Sequence, residues 1–459
     1  MTGSLKSNEN KKYLSTIMII ALPIIVQGLV FQLQSLTEKA FLGKCGTIYL
    51  SALGPTQFPL GATIDCLIAL CTGITIIVSQ MYGAKKTDGI VNTVKSSIVF
   101  NSVLSFAFFI IWTVFPRYIF NLLAVDTSIM DYCINYAQIF AVYFLFLGVD
   151  ATLQSMLLGM GDTKPIMYSG IIKVVLNIFL SWVLIFGHFG LPALNIKGAA
   201  IATVVADVTA SLFIIIYCFS VKRKVYELNK GRLSNINLAS YKKSVFLGLP
   251  TAMEFFLWNF SNLVLIRFLN GFELATTVYT LTFAIEIIVF QIFNGYSRAT
   301  LTLIGNKIGE NDSGGAKKVF KVCMILNLIT VFLSVIIFIL FAKPITSIFT
   351  EDDNVITKTV PFLIFTAFIL IPKSINVVVG SGIRAYGDTK WMLYTQVFGS
   401  TFVITCSFIL IKIFHLDMTA AYITILLDEC IRAAINYWHY HKGPKSEIYA
   451  QGIIEQAEF

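Results

Sequence analysis

Ionisable side chains stand inside several of the longest apolar stretches of this sequence. A charge at the centre of a bilayer costs on the order of 3 kcal/mol or more, so it usually faces a partner, a wet cavity or a proton pathway. Carboxylates in such surroundings are suited to binding a proton or a cation. For each residue, an ion pair that stabilises helix packing is the alternative. The residues include Glu38, Lys173, Asp207, Glu254, Glu286 and Lys373.

The elements that must position these residues are predicted to be membrane-spanning helices. Of the 459 residues, 56% are hydrophobic and 13% are charged, and the apolar runs are long enough to cross a hydrocarbon core of about 30 Å. We therefore expect an all-α membrane protein with about twelve transmembrane helices. The spans are expected near residues 14–41, 52–81, 93–115, 133–158, 166–187, 198–221, 244–269, 275–303, 318–341, 356–383, 391–414 and 418–438.

Basic residues collect in alternate gaps between these spans. Lys11 and Lys12 precede the first span, and Lys86 and Lys317 lie after the second and the eighth, whereas the intervening gaps carry few basic residues. The positive-inside rule then places both termini in the cytoplasm of a multi-pass cell-membrane protein. Because these loops account for the net charge of +9, we expect no nucleic-acid partner.

The sequence contains an internal repeat. GMGDTKP begins at residue 159 and AYGDTKW at residue 385, so 385 − 159 = 226 residues separate them, and ALPIIVQ and GLPTAME are 227 residues apart. Matches at one near-constant offset indicate a duplication. We expect two six-helix lobes, residues 1–221 and 244–459, joined by a cytoplasmic linker, residues 222–243. Six spans in each copy make the lobes parallel repeats about a pseudo-twofold axis along the membrane normal.

The repeated GDTK sequence is interpreted as a tight turn between helices. Gly161 and Gly387 are expected to take the left-handed conformation that ends a helix. Asp162 and Asp388 are expected to cap the next helix through a side-chain oxygen. A phosphate-binding loop is not favoured, because the GxxxxGK[ST] pattern is absent from the sequence. A gate or hinge is the functional alternative to a purely structural turn.

The motif search favours transport over catalysis. The sequence has no HExxH or GxSxG motif, and its eight scattered cysteines and four histidines form no ligand-like spacing. We expect no enzymatic activity and no cofactor. A duplicated helical bundle with buried ionisable groups is typical of a secondary transporter. A channel is less favoured because no filter-like loop separates the spans.

Several stretches resemble the multidrug and toxic compound extrusion (MATE) family over nearly the full length of the chain. This resemblance implies two six-helix lobes facing a central cavity. It also implies export of small organic molecules by alternating access, driven by inward movement of Na⁺ or H⁺, and we expect a monomer. The stretches are ALPIIVQ, TEKAFLGKCG, VSQMYGAKK, GMGDTKP, NIFLSWVLIFG, GAAIAT, GLPTAME, RAYGDTKW and LDECIR.

In the first lobe, the resemblance implies a cation- or proton-binding site. Glu38 falls where the family usually has an aspartate, so H⁺ or Na⁺ is expected there. Asn177 matches a family asparagine, Ser181 stands where many members have a second aspartate, and Thr203 matches a polar position near that site. Asp207, one turn beyond, is a candidate to replace the missing acid.

In the second lobe, the resemblance implies a site that departs from its relatives. Glu254 and Glu286 match acids found in part of the family, whereas Lys373 falls where some sodium-coupled members have an aspartate. We expect Lys373 to pair with Glu254 or Glu286, in the volume that sodium occupies in some relatives. The second acid would then be left to exchange a proton or to contact a cationic substrate.

A second function within the same wider superfamily is a flippase for lipid-linked oligosaccharides or peptidoglycan precursors. Such proteins often have a basic cavity, and Lys173 and Lys373 support that alternative. The GDTK turns in both halves favour the exporter.

Overall fold

The structure is a computed structural model that describes residues 2–222, 226, 228 and 236–443. That part of the chain contains fourteen α-helices and no β-strand. They are α1 (Thr2–Cys45), α2 (Thr47–Gly83), α3 (Thr87–Val114), α4 (Pro116–Leu122), α5 (Thr127–Ala141), α6 (Phe144–Met160), α7 (Lys164–Phe186), α8 (Asn195–Ile216), α9 (Leu238–Leu269), α10 (Ala275–Gly309), α11 (Ser313–Ser347), α12 (Asp353–Ala385), α13 (Thr389–Phe408) and α14 (Thr419–Lys442).

The helices confirm an all-α membrane protein. Ten of them, within the described residues, are long and apolar enough to cross a membrane, and the bent pair α5–α6 provides an eleventh candidate span. Helix α14 occupies the place of the predicted twelfth span. It is less apolar than the others because Asp428, Glu429 and Arg432 all lie within any 18-residue stretch of this helix.

The fourth span, predicted as one helix over residues 133–158, is instead broken. Helices α5 and α6 meet at a bend of 54°. Val142 and Tyr143 form the break, and it contains neither proline nor glycine. The corresponding helix of the second repeat, α12, is continuous and 33 residues long.

Contacts along the backbone divide the chain into two compact units. The N-terminal unit comprises Val26–Gly248, and the C-terminal unit comprises Met1–Ile25 together with Leu249–Phe459. The start of α1 therefore groups with the second half of the sequence, and the start of α9 with the first half. These boundaries differ from the predicted lobe boundaries, which follow chain order.

A proline lies next to each boundary between the units. Pro23 lies inside α1 and Pro250 inside α9. Proline removes a helical hydrogen bond and bends the helix, which frees the two parts of one helix to pack separately. The predicted linker, residues 222–243, falls largely outside the described residues, and its last part is already helical because α9 begins at Leu238.

Each unit repeats one pattern of helix packing. In the N-terminal unit, α2, α3 and α6 pack on one another, α7 packs on α8, and α8 joins the two groups through α5 and α6. In the C-terminal unit, α10, α11 and α12 form the first group, α13 packs on α14, and α14 contacts α12. The shared pattern agrees with a duplicated sequence.

The start of α9 packs tightly on α2 within the N-terminal unit. A Cβ atom added to Gly73 would lie 1.9 Å from the carbonyl oxygen of Ser244, and one added to Gly248 would lie 1.8 Å from that of Leu70. Both distances are far below any van der Waals contact. Glycine is therefore required on both helices for this close approach.

The two GDTK turns confirm the predicted backbone conformation. Gly161 has φ of 80° and Gly387 has φ of 90°, the left-handed region where glycine carries no steric penalty. Asp388 caps α13 as predicted, because its carboxylate accepts a hydrogen bond from the Trp391 amide at 3.3 Å. Its other oxygen lies 2.8 Å from Nε2 of His439 on α14.

The predicted capping role of Asp162 is wrong. Helix α7 begins two residues after Asp162, at Lys164, so Thr163 and not Asp162 holds the N-cap position. The Asp162 carboxylate instead accepts hydrogen bonds from the hydroxyls of Tyr217, at 3.2 Å, and Tyr226, at 2.5 Å. Burial and this hydrogen bond raise the pKa of Tyr226, so its hydroxyl remains a donor. Asp162 thus fastens the end of α8 to the turn.

We expect Asp388→Ala to lower the free energy of unfolding by about 1 kcal/mol, the usual loss of a helix cap. Asp388→Asn is the matched control, since asparagine caps as well as aspartate. Asp162→Ala should cost a similar ~1 kcal/mol through its lost hydrogen bonds. Thermal unfolding of the purified variants in detergent measures both effects. The range of exported compounds should not change, and a changed range at normal expression would show that these turns are more than structural.

Candidate functional site

The predicted acid of the first lobe lies on the buried stripe of α1. Gln34, Glu38 and Leu42 follow one another at four-residue spacing and are 4%, 4% and 0% exposed, as expected for one face of a helix. The hydroxyl of Tyr136 on α5 donates to Oε1 of Glu38 at 3.1 Å. Nε2 of Gln57 on α2 donates to Oε2 at 3.2 Å. Glu38 therefore joins three helices through two neutral hydrogen-bond donors.

Helices α7 and α8 face each other with a ladder of polar side chains. Four polar residues of α7 recur every four positions, at Ser169, Lys173, Asn177 and Ser181. Because the helices run antiparallel, the partners on α8 fall in number as those on α7 rise. Ser169 donates to the carbonyl of Ala210, Lys173 pairs with Asp207, and Asn177 donates to Thr203. Repeated four-residue spacing places all of them on one helix face.

The rungs of this ladder bring together most of the predicted first-lobe site. Nδ2 of Asn177 donates to Oγ1 of Thr203 at 3.0 Å, and Thr203 is also within hydrogen-bonding range of Tyr136. Ser181 is buried, and its hydroxyl has no hydrogen-bond partner among the described residues. Tyr136 thus connects Glu38 with the Asn177–Thr203 rung.

At the next rung, Asp207 does not take the predicted role of a second acid beside Glu38. Asp207 forms an ion pair with Lys173, whose ammonium also lies 5.1 Å from the centre of the Phe31 ring. Asp207 therefore does not join Glu38 as a second acid that could bind one shared cation. Asp207 and Lys173 nevertheless both lie within electrostatic range of Glu38. The pair forms because a lysine on α7 and an aspartate on α8 occupy one level of the ladder.

Sequence inspection missed Asp150 on α6. This residue is 5% exposed. Its Oδ2 accepts a hydrogen bond from Nε2 of Gln154 at 2.9 Å, and its Oδ1 is buried with no partner among the described residues. The Asp-to-Gln spacing of four residues on one helix face was the signal in the sequence.

The C-terminal unit confirms the predicted lysine pair. Nζ of Lys373 on α12 lies 2.5 Å from Oε1 of Glu286 on α10. Their side chains are 13% and 12% exposed, so the pair is largely withdrawn from solvent. The structure therefore selects Glu286 from the two predicted partners.

Glu254 is not left free, contrary to the sequence prediction. It forms an ion pair with Arg384, at the end of α12 beside the second GDTK turn. The prediction overlooked Arg384 because a basic residue next to a turn resembles an ordinary loop charge. Glu254 is therefore not available as a second, unpaired acid beside Lys373.

Arg432 organises a third charged group in the same unit. Its Nε lies 3.0 Å from both carboxylate oxygens of Asp428, and it also binds Glu429 at 3.0 Å and Gln396 at 2.9 Å. A Cβ atom on Gly399 would lie 2.5 Å from Oδ1 of Asp428. Glycine at that position of α13 makes room for the network on α14.

A small polar cavity lies beside these groups within the C-terminal unit. Its volume is about 60 Å³, enough for roughly two waters at ~30 Å³ each and too small for a drug-sized ligand. Water or a small ion in this cavity would lie next to the ion pairs. Its lining includes Glu286, Lys373, Glu429, Arg432, Trp258 and Tyr279.

The two units differ in how their buried acids are neutralised. Among the described residues of the C-terminal unit, Glu254, Glu286, Asp428 and Glu429 each lie at ion-pair distance from a cation. In the N-terminal unit, the ion pair of Lys173 goes to Asp207. Neither Glu38 nor Asp150 has a cation at that distance within the described residues. The unneutralised carboxylates are therefore in the N-terminal unit.

Two duplicated units of membrane helices with buried ionisable groups are typical of a membrane transporter. The profile of the MatE family matches residues 23–183 and again residues 250–409, which confirms the repeat. The chain belongs to the MatE family. It is a multi-pass membrane transporter and not an enzyme.

Similar proteins cover nearly the whole chain. A probable multidrug resistance protein NorM of Thermotoga maritima is 26% identical over 442 residues, which is 92% of this chain and 91% of that protein. The probable multidrug resistance protein YoeA of Bacillus subtilis is 25% identical, over 83% of each chain.

Solved structures of the same fold are also similar. A MOP superfamily transporter from Pyrococcus furiosus, described by the reverse polarity of its binding pocket, superposes with a TM-score of 0.85 at 19% identity, covering 95% of this chain and 96% of that one. An outward-facing multidrug resistance MATE family transporter has a TM-score of 0.84 at 19% identity, covering 96% of each chain.

We expect Lys373→Met to destabilise the protein by roughly 3–5 kcal/mol, because it leaves the Glu286 charge buried and uncompensated. Adding Glu286→Gln should recover most of that loss. Thermal unfolding in detergent of the single and double variants measures the coupling. Lys343→Met is the matched control, since Lys343 is exposed. Equal stabilities of the single and double variants would contradict a stabilising pair.

Proposed function

We propose that this protein exports small amphipathic organic compounds, drugs among them, by alternating access, and that inward movement of protons drives the export. The relatives named as multidrug resistance proteins support the substrate class. The observation that carries the coupling is the environment of Glu38, a buried carboxylate held by Tyr136 and Gln57. A carboxylate that lacks a fixed cation is free to bind a mobile one.

The groups around Glu38 suit a proton better than sodium. A hard cation requires several oxygen ligands, whereas both groups that contact the Glu38 carboxylate are hydrogen-bond donors. Thr203 already shares its oxygen with Asn177. A sodium ion would have to displace these contacts, while a proton needs only one carboxylate oxygen.

Protonation of Glu38 would loosen the contacts that join three helices. Hydrogen bonds to an ionised acceptor are roughly twice as strong as those to a neutral one. Neutral Glu38 would hold Tyr136 on α5 and Gln57 on α2 less firmly, and would give up its attraction for a cationic substrate. Coupling of this kind is reciprocal, so release of substrate and uptake of the proton would favour each other.

The distribution of charge favours organic cations as substrates. Glu38 and Asp150 leave negative charge in the N-terminal unit, whereas the lysines expected to form a basic cavity are both in ion pairs. A basic cavity was the argument for a flippase of anionic lipid-linked sugars, and that argument is lost. We further propose that the exporter is a monomer in the cell membrane, with both termini in the cytoplasm.

We expect Glu38→Gln to abolish gradient-driven efflux while the protein still folds and binds substrate, because glutamine keeps the shape and cannot gain or lose the proton. Efflux of a fluorescent cationic dye from proteoliposomes, with proton and sodium gradients imposed separately, measures this. Glu38→Asp should retain part of the proton-driven rate.

Glu273→Gln, at an exposed glutamate paired with Lys358, is the matched control and should behave as the wild type. Wild-type rates in Glu38→Gln would remove Glu38 from the mechanism. Efflux that responds only to sodium would overturn the choice of ion.

A further inference from the structure

Asp150 shares its surroundings with one cation and a second acid. Lys173 and Asp207 both lie within electrostatic range of Asp150, and Lys173 forms its ion pair with Asp207. Gln154 donates to Oδ2 of Asp150 at 2.9 Å, whereas the hydroxyl of Ser211 donates to the backbone carbonyl of Asp207 at 2.9 Å. Two carboxylates facing one ammonium leave a net charge of −1 in a buried place, and Oδ1 of Asp150 is the atom without a partner.

This cluster lies one rung of the ladder nearer the Gly161–Asp162 turn than the level of Glu38. Asp150 is ten residues before the end of α6, and Lys173 is nine residues after the start of α7. At 1.5 Å per residue, both lie about 14–15 Å from the Gly161–Asp162 turn. Along α7, Asn177 lies four residues further from the same turn, or about 6 Å, at the level that Tyr136 connects to Glu38.

Charged and titratable groups surround Asp150 on the helices packed against α6. Cys71 on α2 lies within electrostatic range, and so does Cys218, which follows α8 and in turn lies within range of Asp162. Tyr143, at the break between α5 and α6, also lies within electrostatic range of Asp150. These groups, with Lys173 on α7 and Asp207 on α8, form a series from the turn toward Glu38.

The repeat provides an internal comparison. Asp150 lies 226 residues before Asn376, its counterpart on α12. Asn376 donates to Glu429 at 3.2 Å and accepts from Asn436 at 2.6 Å. The C-terminal unit thus has a neutral amide with both polar ends satisfied, where the N-terminal unit has a carboxylate with one free oxygen. The shared helix packing does not require an acid at this position.

We propose that Asp150 is a second proton-binding site of the transporter, separate from Glu38 and neutralised in part by Lys173. The proton binds the free Oδ1 of Asp150 and gives a neutral carboxylic acid, so that one ammonium then balances one remaining carboxylate, Asp207. This inference rests on the proposed proton coupling. It predicts that two protons, one at each acid, exchange for one substrate molecule.

The test counts protons on substrate binding. Calorimetry of a monovalent cationic dye binding to the purified protein, in buffers of different ionisation enthalpy, gives the number released. Wild type should release about two protons at saturation if both acids are loaded. Asp150→Asn and Glu38→Gln should each release about one. Asp131→Asn, at an exposed acid of α5 paired with Arg117, is the matched control and should match the wild type.

Transport provides an independent readout in proteoliposomes. Two protons entering for one monovalent cation leaving move a net positive charge, so wild-type efflux should respond to an imposed membrane potential. One-for-one exchange is electroneutral, so Asp150→Asn should keep proton-driven efflux and lose that response, and Asp150→Glu should restore it.

The outcomes separate this proposal from the proposed function. Release of one proton by wild type, or an unchanged count and potential response in folded Asp150→Asn, would overturn the second site while leaving Glu38 coupling intact. If Asp150→Asn lost proton coupling while Glu38→Gln kept it, the proposed function would instead be overturned. The wild-type count alone decides the question if Asp150→Asn does not fold.

Discussion

The rest of the structure depends on how the buried charges are neutralised, above all by the ion pairs of Lys173 with Asp207 and of Lys373 with Glu286. Long apolar helices offer no water to solvate a charge, so each ionised side chain inside them needs a fixed partner, a mobile ion or a proton. Where the partner is fixed, the charge stabilises the helix packing. Where no fixed partner exists, as at Glu38, we propose that the same requirement is met by a mobile proton.

The duplicated fold separates these two solutions. Both units pack their helices in the same pattern, yet in the C-terminal unit Glu254, Glu286, Asp428 and Glu429 each lie at ion-pair distance from Lys373, Arg384 or Arg432. In the N-terminal unit Lys173 pairs with Asp207, and neither Glu38 nor Asp150 has a cation at ion-pair distance among the described residues. Duplication thus gives one scaffold twice, and the two copies differ in how many of their buried acids have a cation at ion-pair distance. The coupling ion is accordingly expected in the N-terminal unit.

Sequence reasoning predicted features that depend on local chemistry. The left-handed Gly161 and Gly387 followed from the GDTK turns, and the Lys373 pair followed from the cost of a lone buried ammonium. Features that depend on packing between helices were not predictable. The choice of Glu286 over Glu254, the Arg384 partner and the Asp207–Lys173 rung all depend on which faces meet. Asp150 was hidden inside an apolar run, and the Asp162 carboxylate binds the hydroxyls of Tyr217 and Tyr226, which lie far along the sequence, and does not cap α7.

The central claim is that Glu38 carries the coupling proton, and infrared difference spectroscopy of the purified protein tests it most directly. Acidification should produce an absorption band of a protonated carboxyl group in the wild type, and addition of a cationic dye should reduce that band. Part of the band should be lost in Glu38→Gln and kept in Glu273→Gln. A Glu38→Gln spectrum identical to that of the wild type, with the same response to the dye, would contradict the claim.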